Sequence, residues 1–431
     1  MDVMGMTRAE GAAGAALCAL MLGAAPHRDA PDETARAQLA WLDGDAEAAL
    51  VALGRSPPGR ERELNRGVVL LYKGDAERAE AVFGELRTRD PRWLPAARWL
   101  ARAQAGRGRP EAWDTAEALL SLPGATGRDH FWAGRLLAEH NDLLRARASF
   151  RRALAAEDDL YLGWRALADV EQALGDAGAA RTARDKADTL YPGGFTAELP
   201  PRPPLPEGRA LRYRAQYLFL RIASVAIRDE GRVEVHGRAA RRLSLEAKSN
   251  PAIFFLHIDS RWESYIGDDG AVIAHRNRVN DSSSGRRQTA MDMDPDAKVC
   301  TVRQAVDRIF SYELLPLPPR AQDGVSLIEV ARSVARVRGS ASVLRNVEAT
   351  WKGTAIRTTG VERIAWGGGK VDTVRVEIAI TSRSSAGVVG VIRLWISADE
   401  HAIPYRARMD TAVGSITLEL MSEERAHEGV G

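Results

Sequence analysis

Cysteine is nearly absent from this chain. Two residues of 431, Cys18 and Cys300, allow no disulfide framework, and no Cys/His cluster carries the spacing of a zinc site. Lysine is almost as scarce. Lys73, Lys186, Lys248, Lys298, Lys352 and Lys370 are the only lysines among 60 basic residues, so arginine carries the positive charge and no single arginine is informative by itself. An excess of one sign is also missing: 60 Lys and Arg against 58 Asp and Glu leave a net charge of +2, which is no electrostatic footprint for nucleic acid. Beyond the N-terminus no uncharged apolar run reaches about eighteen residues, so no transmembrane helix is expected in a mature chain. Gly-x-Ser-x-Gly, HExxH, Walker A and paired catalytic carboxylates are absent too, and nothing calls for a cofactor. What is present is a length for two or three domains and an ordinary globular balance, 45% hydrophobic and 27% charged, which excludes global disorder.

Residues 1–25 place Arg8 before the small apolar run GAAGAALCALMLGAA, followed by polar HRDAPDE. That order is the pattern of a secretory signal peptide, and export is expected. Ala15 stands where a lipoprotein signal carries leucine, so Cys18 is not read as a lipid anchor. Removal of the signal leaves Cys300 alone.

From 30 to 194 the chain repeats. The turns at Gly74-Asp75, Gly108, Asn141-Asp142 and Gly175-Asp176 fall at intervals of 34, 33 and 34, and Gly44-Asp45 precedes the first by 30. Ala79, Ala146 and Ala180 follow their turns in register. Phe83 and Phe150 are equivalent, and Gly67, Ala101, Gly134 and Ala168 are small at the matching upstream position. Units 60–93 and 161–194 are the most regular, while Trp113 and Glu117 break the pattern after Gly108. This stretch resembles the tetratricopeptide repeat superfamily, with four repeats and a degenerate fifth as a cap. The resemblance implies an all-α solenoid of helix pairs whose first helices line a concave, partner-binding face. The register puts Arg98 and Arg165 at one position of that face with Phe131 between them, Arg102 and Arg135 one turn on, and Arg128 nearby. Two readings stand: arginine forks gripping carboxylates of a protein partner, or a solvated face paired with Glu139 and Asp169. Trp93, Trp99, Trp132 and Trp164 read as inter-repeat core.

Residues 195–208 contain LPPRPPLP, a proline-rich linker. Over 209–424 the period changes to that of strands, with alternation at 241–248, 374–380, 391–396 and 415–420 and hairpin turns expected at 267–270 and 367–369. Helical interruptions are expected near 251–260 and over 302–315, and 425–431 is expected to be a disordered tail. YRAQYLFLRIASVAIR (213–228), DSRWESYIGDDGAV (259–272), RIFSYELLPLP (308–318) and LWISADEHAIPYRARMDTAVGSITLEL (394–420) resemble the family labelled domain of unknown function 3108. That resemblance implies an exported protein in the periplasm or cell envelope of a Gram-negative bacterium. The fold it implies is α+β: a long curved antiparallel sheet, the half-barrel of lipoprotein carriers, wrapped round a helix with an apolar concavity. It implies no reaction.

The remaining features are weighed singly. Asp292-x-Asp294-x-Asp296 opens like a calcium loop, but Ala297 and Arg303 stand where glycine and a bidentate acid are needed, so it reads as a polar turn and no metal is expected. Cys300 reads as a small buried thiol, although a partner among His257, His275 and His401 is open. Phe254, Phe255, Trp262 and Tyr265, with Trp366, Trp395 and Tyr405, either line a slot for an apolar ligand or fill the space between sheet and helix. Together these lead to a non-enzymatic exported scaffold. Its repeats hold a protein partner, and its β domain binds a lipid, lipoprotein or glycan. The alternatives are a structural adaptor with a solid β domain, or an unrecognised hydrolase.

Overall fold

The computed structural model describes residues 32–190, 199, 209–253, 256–282, 285–347, 350–380, 388–411 and 414–425. The signal-like segment, most of the linker, Phe254, Phe255 and residues 426–431 lie outside them. Among the described residues, ten helices form five consecutive hairpins: α1 (Glu33–Asp43) with α2 (Ala46–Arg55), α3 (Arg60–Tyr72) with α4 (Ala76–Arg89), α5 (Leu94–Gly106) with α6 (Glu111–Leu120), α7 (Gly127–Glu139) with α8 (Leu143–Ala156), and α9 (Tyr161–Ala173) with α10 (Ala177–Leu190).

The recurring dipeptide, Gly-Asp at three hairpin turns and Asn-Asp at a fourth, has a local cause. Gly44, Gly74, Gly108, Asn141 and Gly175 end the first helix at φ values of 83°, 88°, 65°, 61° and 84°, a conformation glycine and asparagine reach most easily. The aspartate that follows caps the second helix. Asp45, Asp75, Asp142 and Asp176 accept the backbone N–H of Ala48, Arg78, Arg145 and Ala179, each cap contributing about 1 kcal/mol. Within a pair, Gly67 leaves room for Phe83 and Gly134 for Phe150. A Cβ at either glycine would sit 2.5 or 2.7 Å from the facing ring.

The second half is one antiparallel sheet of fourteen strands: β1 (Arg209–Tyr217), β2 (Leu220–Val235), β3 (Arg238–Ser249), β4 (Asp259–Ile266), β5 (Val272–Asp281), β6 (Gly285–Asp294), β7 (Val299–Val306), β8 (Ile309–Pro316), β9 (Ser340–Val347), β10 (Thr350–Trp366), β11 (Gly369–Ile380), β12 (Val388–Ser397), β13 (Pro404–Thr411) and β14 (Gly414–Arg425). The strand order runs β8 to β1, then β14 to β9. The chain therefore starts mid-sheet, meanders to one edge, crosses through helix α11 (Ser326–Val337) and meanders back from the other edge. The sheet does not close into a barrel. Its concave face wraps α11, whose Leu327, Val330 and Val334 pack on Val343, Ile356, Val376 and Ile396.

Both edges are protected, as long sheets require. The face of β9–β10 bearing Leu344 and Trp351 packs under the opposite arm, against Val272, Met291, Cys300, Val302 and Leu315. Residues 321–322 stitch the arms together: Ala321 accepts from Val272 N–H, and Gln322 exchanges backbone hydrogen bonds with Leu344 and Asn346. The other edge, β8, is covered by the helical array.

Two expectations need correction. No helix occupies 302–315, which forms the β7–β8 hairpin; the helix comes later, at Ser326–Val337. The hairpin turns on Asp307 (φ 47°) and Arg308 (φ 73°), left-handed positions without the glycine or asparagine that usually announces them. No helix is described around 251–260 either; Pro251 and Ala252 form a turn. The expected turns at 267–270 and 367–369 join β4 to β5 and β10 to β11.

Candidate functional site

The face shared by the first helices of the repeats is already half occupied, and its occupant is the chain's own β domain. Trp41 on α1 is fully buried. Its ring stacks on Phe310 of β8 at 5.6 Å and 3°, and its indole N–H donates to the Gln304 carbonyl at 3.0 Å. Asn65 on α3 reads the β7–β8 turn with both ends of its amide: Nδ2 donates to the Arg308 carbonyl (2.7 Å) and Oδ1 accepts from Phe310 N–H (2.8 Å). Arg303 on β7 reaches the opposite way, donating to the Leu42 carbonyl (3.0 Å) and the Tyr72 hydroxyl (3.1 Å) while pairing with Asp292. A cation at the carbonyl end of α1 is favourably placed. Ala290, Ala305 and Phe310 thus share one hydrophobic core with α1–α5.

The six repeat residues singled out in the sequence divide between this contact and the free end. Arg102 lies between the rings of Trp99 and Trp132 (4.9 and 5.2 Å) and donates to Glu313 (2.5 Å) and the Tyr312 carbonyl (3.2 Å), so it does grip a carboxylate, one from β8. Arg98 holds Asp129 of α7 through two hydrogen bonds of 2.6 and 2.8 Å. Burial works to raise the Asp129 carboxyl, but Arg98 and Thr126 outweigh it and keep it below the usual value. Arg128 lies 3.9 Å from Glu157, and Phe131 packs on Phe150 at 5.9 Å. Arg135 and Arg165 are exposed. Arg135 has a loose contact with Glu139 at 3.6 Å, and Arg165 shows no partner among the described residues. The exposed part of the face is therefore α7 and the Arg165 side of α9, although β10 also touches α9 and its Lys352 holds Asp159 in the α8–α9 connection.

The aromatic residues of the β domain do not form one group. Trp262, Trp366 and Tyr405 belong to the core beside Val325 and Ile328 at the start of α11. The Trp366 indole N–H donates to the Leu420 carbonyl (2.7 Å), and its ring meets Tyr405 edge-on at 4.7 Å. Tyr265 and Trp395 lie on the other face. Tyr265 donates to Glu263 beside Arg242 and Arg261, and Trp395 donates to Glu362 (2.9 Å) beneath Arg406. Parity decides this, because positions 262 and 265 of one strand must point oppositely.

The residues weighed for nucleophilic chemistry are also placed. Cys300 is fully buried, and burial together with the charge of Asp292 pushes its thiol up to about 12, so it stays protonated. His257 and His401 are exposed, and neither contacts it. His275 is buried, with Nδ1 3.0 Å from Asp323 and Nε2 3.3 Å from Asn277. Asp292 is no part of a calcium loop. It lies between Arg276, Arg303 and His236, while Asp294 accepts from the 296 and 297 amides of the β6–β7 turn. No group of three or more His, Cys, Asp or Glu suited to a metal ion occurs among the described residues. No described helix is long and apolar enough to cross a membrane.

A search of curated proteins finds no match. Among solved structures, the helical region is similar to MamA 41-end from Desulfovibrio magneticus RS-1, at 19% identity and a TM-score of 0.34, covering 36% of this chain and 90% of that one. It is also similar to a MamA of MSR-1 (18%, TM-score 0.33, covering 37% and 94%) and to a further MamA protein (14%, TM-score 0.35, covering 38% and 96%). Residues 212–421 match the family described as Protein of unknown function (DUF3108). The matched residues thus fall within the open fourteen-stranded sheet and its one described helix, which is joined to an array of five helical hairpins.

Proposed function

We propose that this chain is a non-catalytic scaffold of the cell envelope, with its β domain seated on the first half of the repeat face and a protein partner held on the second half. One observation carries the reading. The same face that buries Trp41, Asn65 and Arg102 against β7–β8 continues over α7 and α9, where Arg135 and Arg165 are exposed and Phe131, Trp132 and Trp164 are only half-buried. A surface of guanidinium forks and aromatic rings suits an acidic, partly apolar segment of a partner. The protonated, enclosed Cys300 supports the absence of thiol catalysis. The signal-like residues 1–25 support export; attachment of those residues to a reporter active only outside the cytoplasm tests this.

The partner face is tested with a photocrosslinking side chain at Arg165 in the full chain, expressed in its native cell. A discrete adduct that disappears on Arg135→Glu is expected. Absence of any adduct from Arg165 and Arg135 positions would remove the reading.

A second reading, contact of the β domain with lipid or a lipoprotein, is favoured by one feature. The β1–β2 turn exposes Leu218, Phe219 and Leu220 by 75, 84 and 46%, and Leu218 adopts φ 55°. Folding gives no reason for leucine at such a turn. Co-sedimentation of the chain with lipid vesicles, lost on Phe219→Ser, is the expected result.

A further inference from the structure

Arg345 is the least explained charge in the molecule. It sits on β9 with 8% of its surface exposed, on the face whose Ala341 and Val343 pack on α11. Its Nε has no hydrogen-bond partner, and among the described residues its guanidinium forms no ion pair. The charge that opposes it is Asp323, and that carboxylate is already committed. One oxygen accepts the backbone N–H groups of Val325 and Ser326, both at 2.8 Å, capping the start of α11; the other meets His275 at 3.0 Å. Directly across the ladder from Arg345 stands Lys352, whose ammonium is held by Asp159 in the α8–α9 connection at 2.5 Å. Two cations thus face each other between strands, and of the two only Lys352 has a counter-ion among the described residues. Thr354, two register pairs further along on the same face, is buried with its hydroxyl unpartnered, as is the Asn277 carbonyl oxygen beside His275.

A guanidinium only 8% exposed, its buried Nε without a hydrogen bond and the group without an ion pair among the described residues, costs stability unless something else pairs with it. The buried Arg303 and Arg332 guanidinium groups, by contrast, are satisfied at every nitrogen by carbonyls, a carboxylate or the Tyr72 hydroxyl. We propose that Arg345 anchors a binding site for a small oxyanion, a carboxylate or a phosphate group, between the β9–β10 ladder and the start of α11. The planar fork suits two oxygens of one anion. Lys352 adds charge, and the His275–Asp323 pair forms the polar wall that keeps the anion from the capped helix end. Burial pulls the Arg345 guanidinium down to about 10, with Asp323 partly offsetting the effect, so it remains charged at neutral pH.

The anion is either free or the headgroup of an amphiphile, and the test separates these. Thermal unfolding of the full chain is followed in sodium phosphate, in sodium laurate and in sodium chloride of equal ionic strength. The same titrations are made on Arg345→Met and on Arg363→Met, a control whose guanidinium is exposed and paired with Asp372. At least one of phosphate and laurate is expected to raise Tm above the chloride baseline with single-site dependence on concentration. Arg345→Met is expected to weaken that binding by at least about tenfold, roughly 1.4 kcal/mol, and Arg363→Met to leave it unchanged. Response to phosphate alone assigns a free anion, and response to laurate alone an amphiphile headgroup. Should Arg345→Met fail to fold, Arg345→Lys serves instead, since it keeps the charge and loses the fork. A wild-type Tm that follows neither anion beyond chloride, or an Arg345 variant that binds as the wild type does, would overturn the site. The outcome is independent of the proposed partner contact, because neither Arg135 nor Arg165 takes part.

Discussion

Replacing Phe310 by alanine should unfasten the helical array although the residue lies in the sheet. Phe310 is fully buried, stacks on Trp41 of α1, and lies in one core with Leu64, Val68 and Trp99. Truncating a core phenylalanine costs about 3–5 kcal/mol through lost transfer free energy and the cavity left behind, including about 0.5–1.5 kcal/mol from the aromatic pair itself. With a urea dependence of about 2 kcal/mol/M, the unfolding midpoint falls by roughly 1.5–2.5 M. Far-UV circular dichroism at the helical minimum reports mainly on the array, and tryptophan fluorescence reports on both halves. Since the core is shared, both signals should shift together and by that amount. A helical transition that keeps its wild-type midpoint while the fluorescence transition moves would refute the reasoning, because the array would then be stable without the contact.

Three further outcomes follow from particular residues. Gly67→Ala should destabilise the array by about 1–3 kcal/mol or more, because the new methyl meets the Phe83 ring at 2.5 Å; Gly134→Ala should do the same against Phe150, and a Tm within error of wild type would contradict both. Burial acts to raise the Asp292 carboxyl, but Arg276, Arg303 and His236 hold it below the ordinary value. Its contribution is therefore complete above about pH 4, the unfolded value, and is lost as pH falls through the lower folded value. Asp292→Asn should cost about 3–5 kcal/mol near neutrality by stranding Arg303 and flatten the acid limb of stability against pH; an unchanged acid limb would refute the assignment. Cys300 should resist maleimide in the native chain and react fully in urea, and rapid native labelling would show that its thiol is accessible.

The parts of this fold legible in the sequence are those set by local chemistry. Gly or Asn at 74, 108, 141 and 175, followed by aspartate at all but 108, encodes a left-handed helix end and an N-cap within two positions, and the hairpins turn there. The 267–270 and 367–369 turns announced themselves by glycine in the same way. The β7–β8 turn did not, because Asp307 and Arg308 take left-handed conformations there. That misplaced the helix, whose amphipathic SLIEVARSVARV lies just downstream. For Arg102 the sequence leaves open a carboxylate of a partner or a solvated face, and the Glu313 it meets is 211 residues away, a distance no spacing rule spans. Trp41, Asn65 and Arg303 carry the domain contact, and nothing in the sequence marks them for it. Each looks like ordinary core or surface until the β domain is laid against the repeats. Tyr265 and Trp395 were separable from Trp262 by strand parity alone; composition, rather than parity, grouped them. Arg345 gave no signal among so many arginines, since only burial without a partner sets it apart.

The seating of the β domain on the repeat face is tested most directly by a double-mutant cycle between Trp41→Leu and Phe310→Leu, measured by equilibrium urea unfolding of the full chain. Stacked and buried together, the two rings should show a coupling free energy of at least about 0.5–1.5 kcal/mol. Additivity within about 0.3 kcal/mol, the behaviour of distant independent sites, would contradict the contact and leave the whole repeat face open.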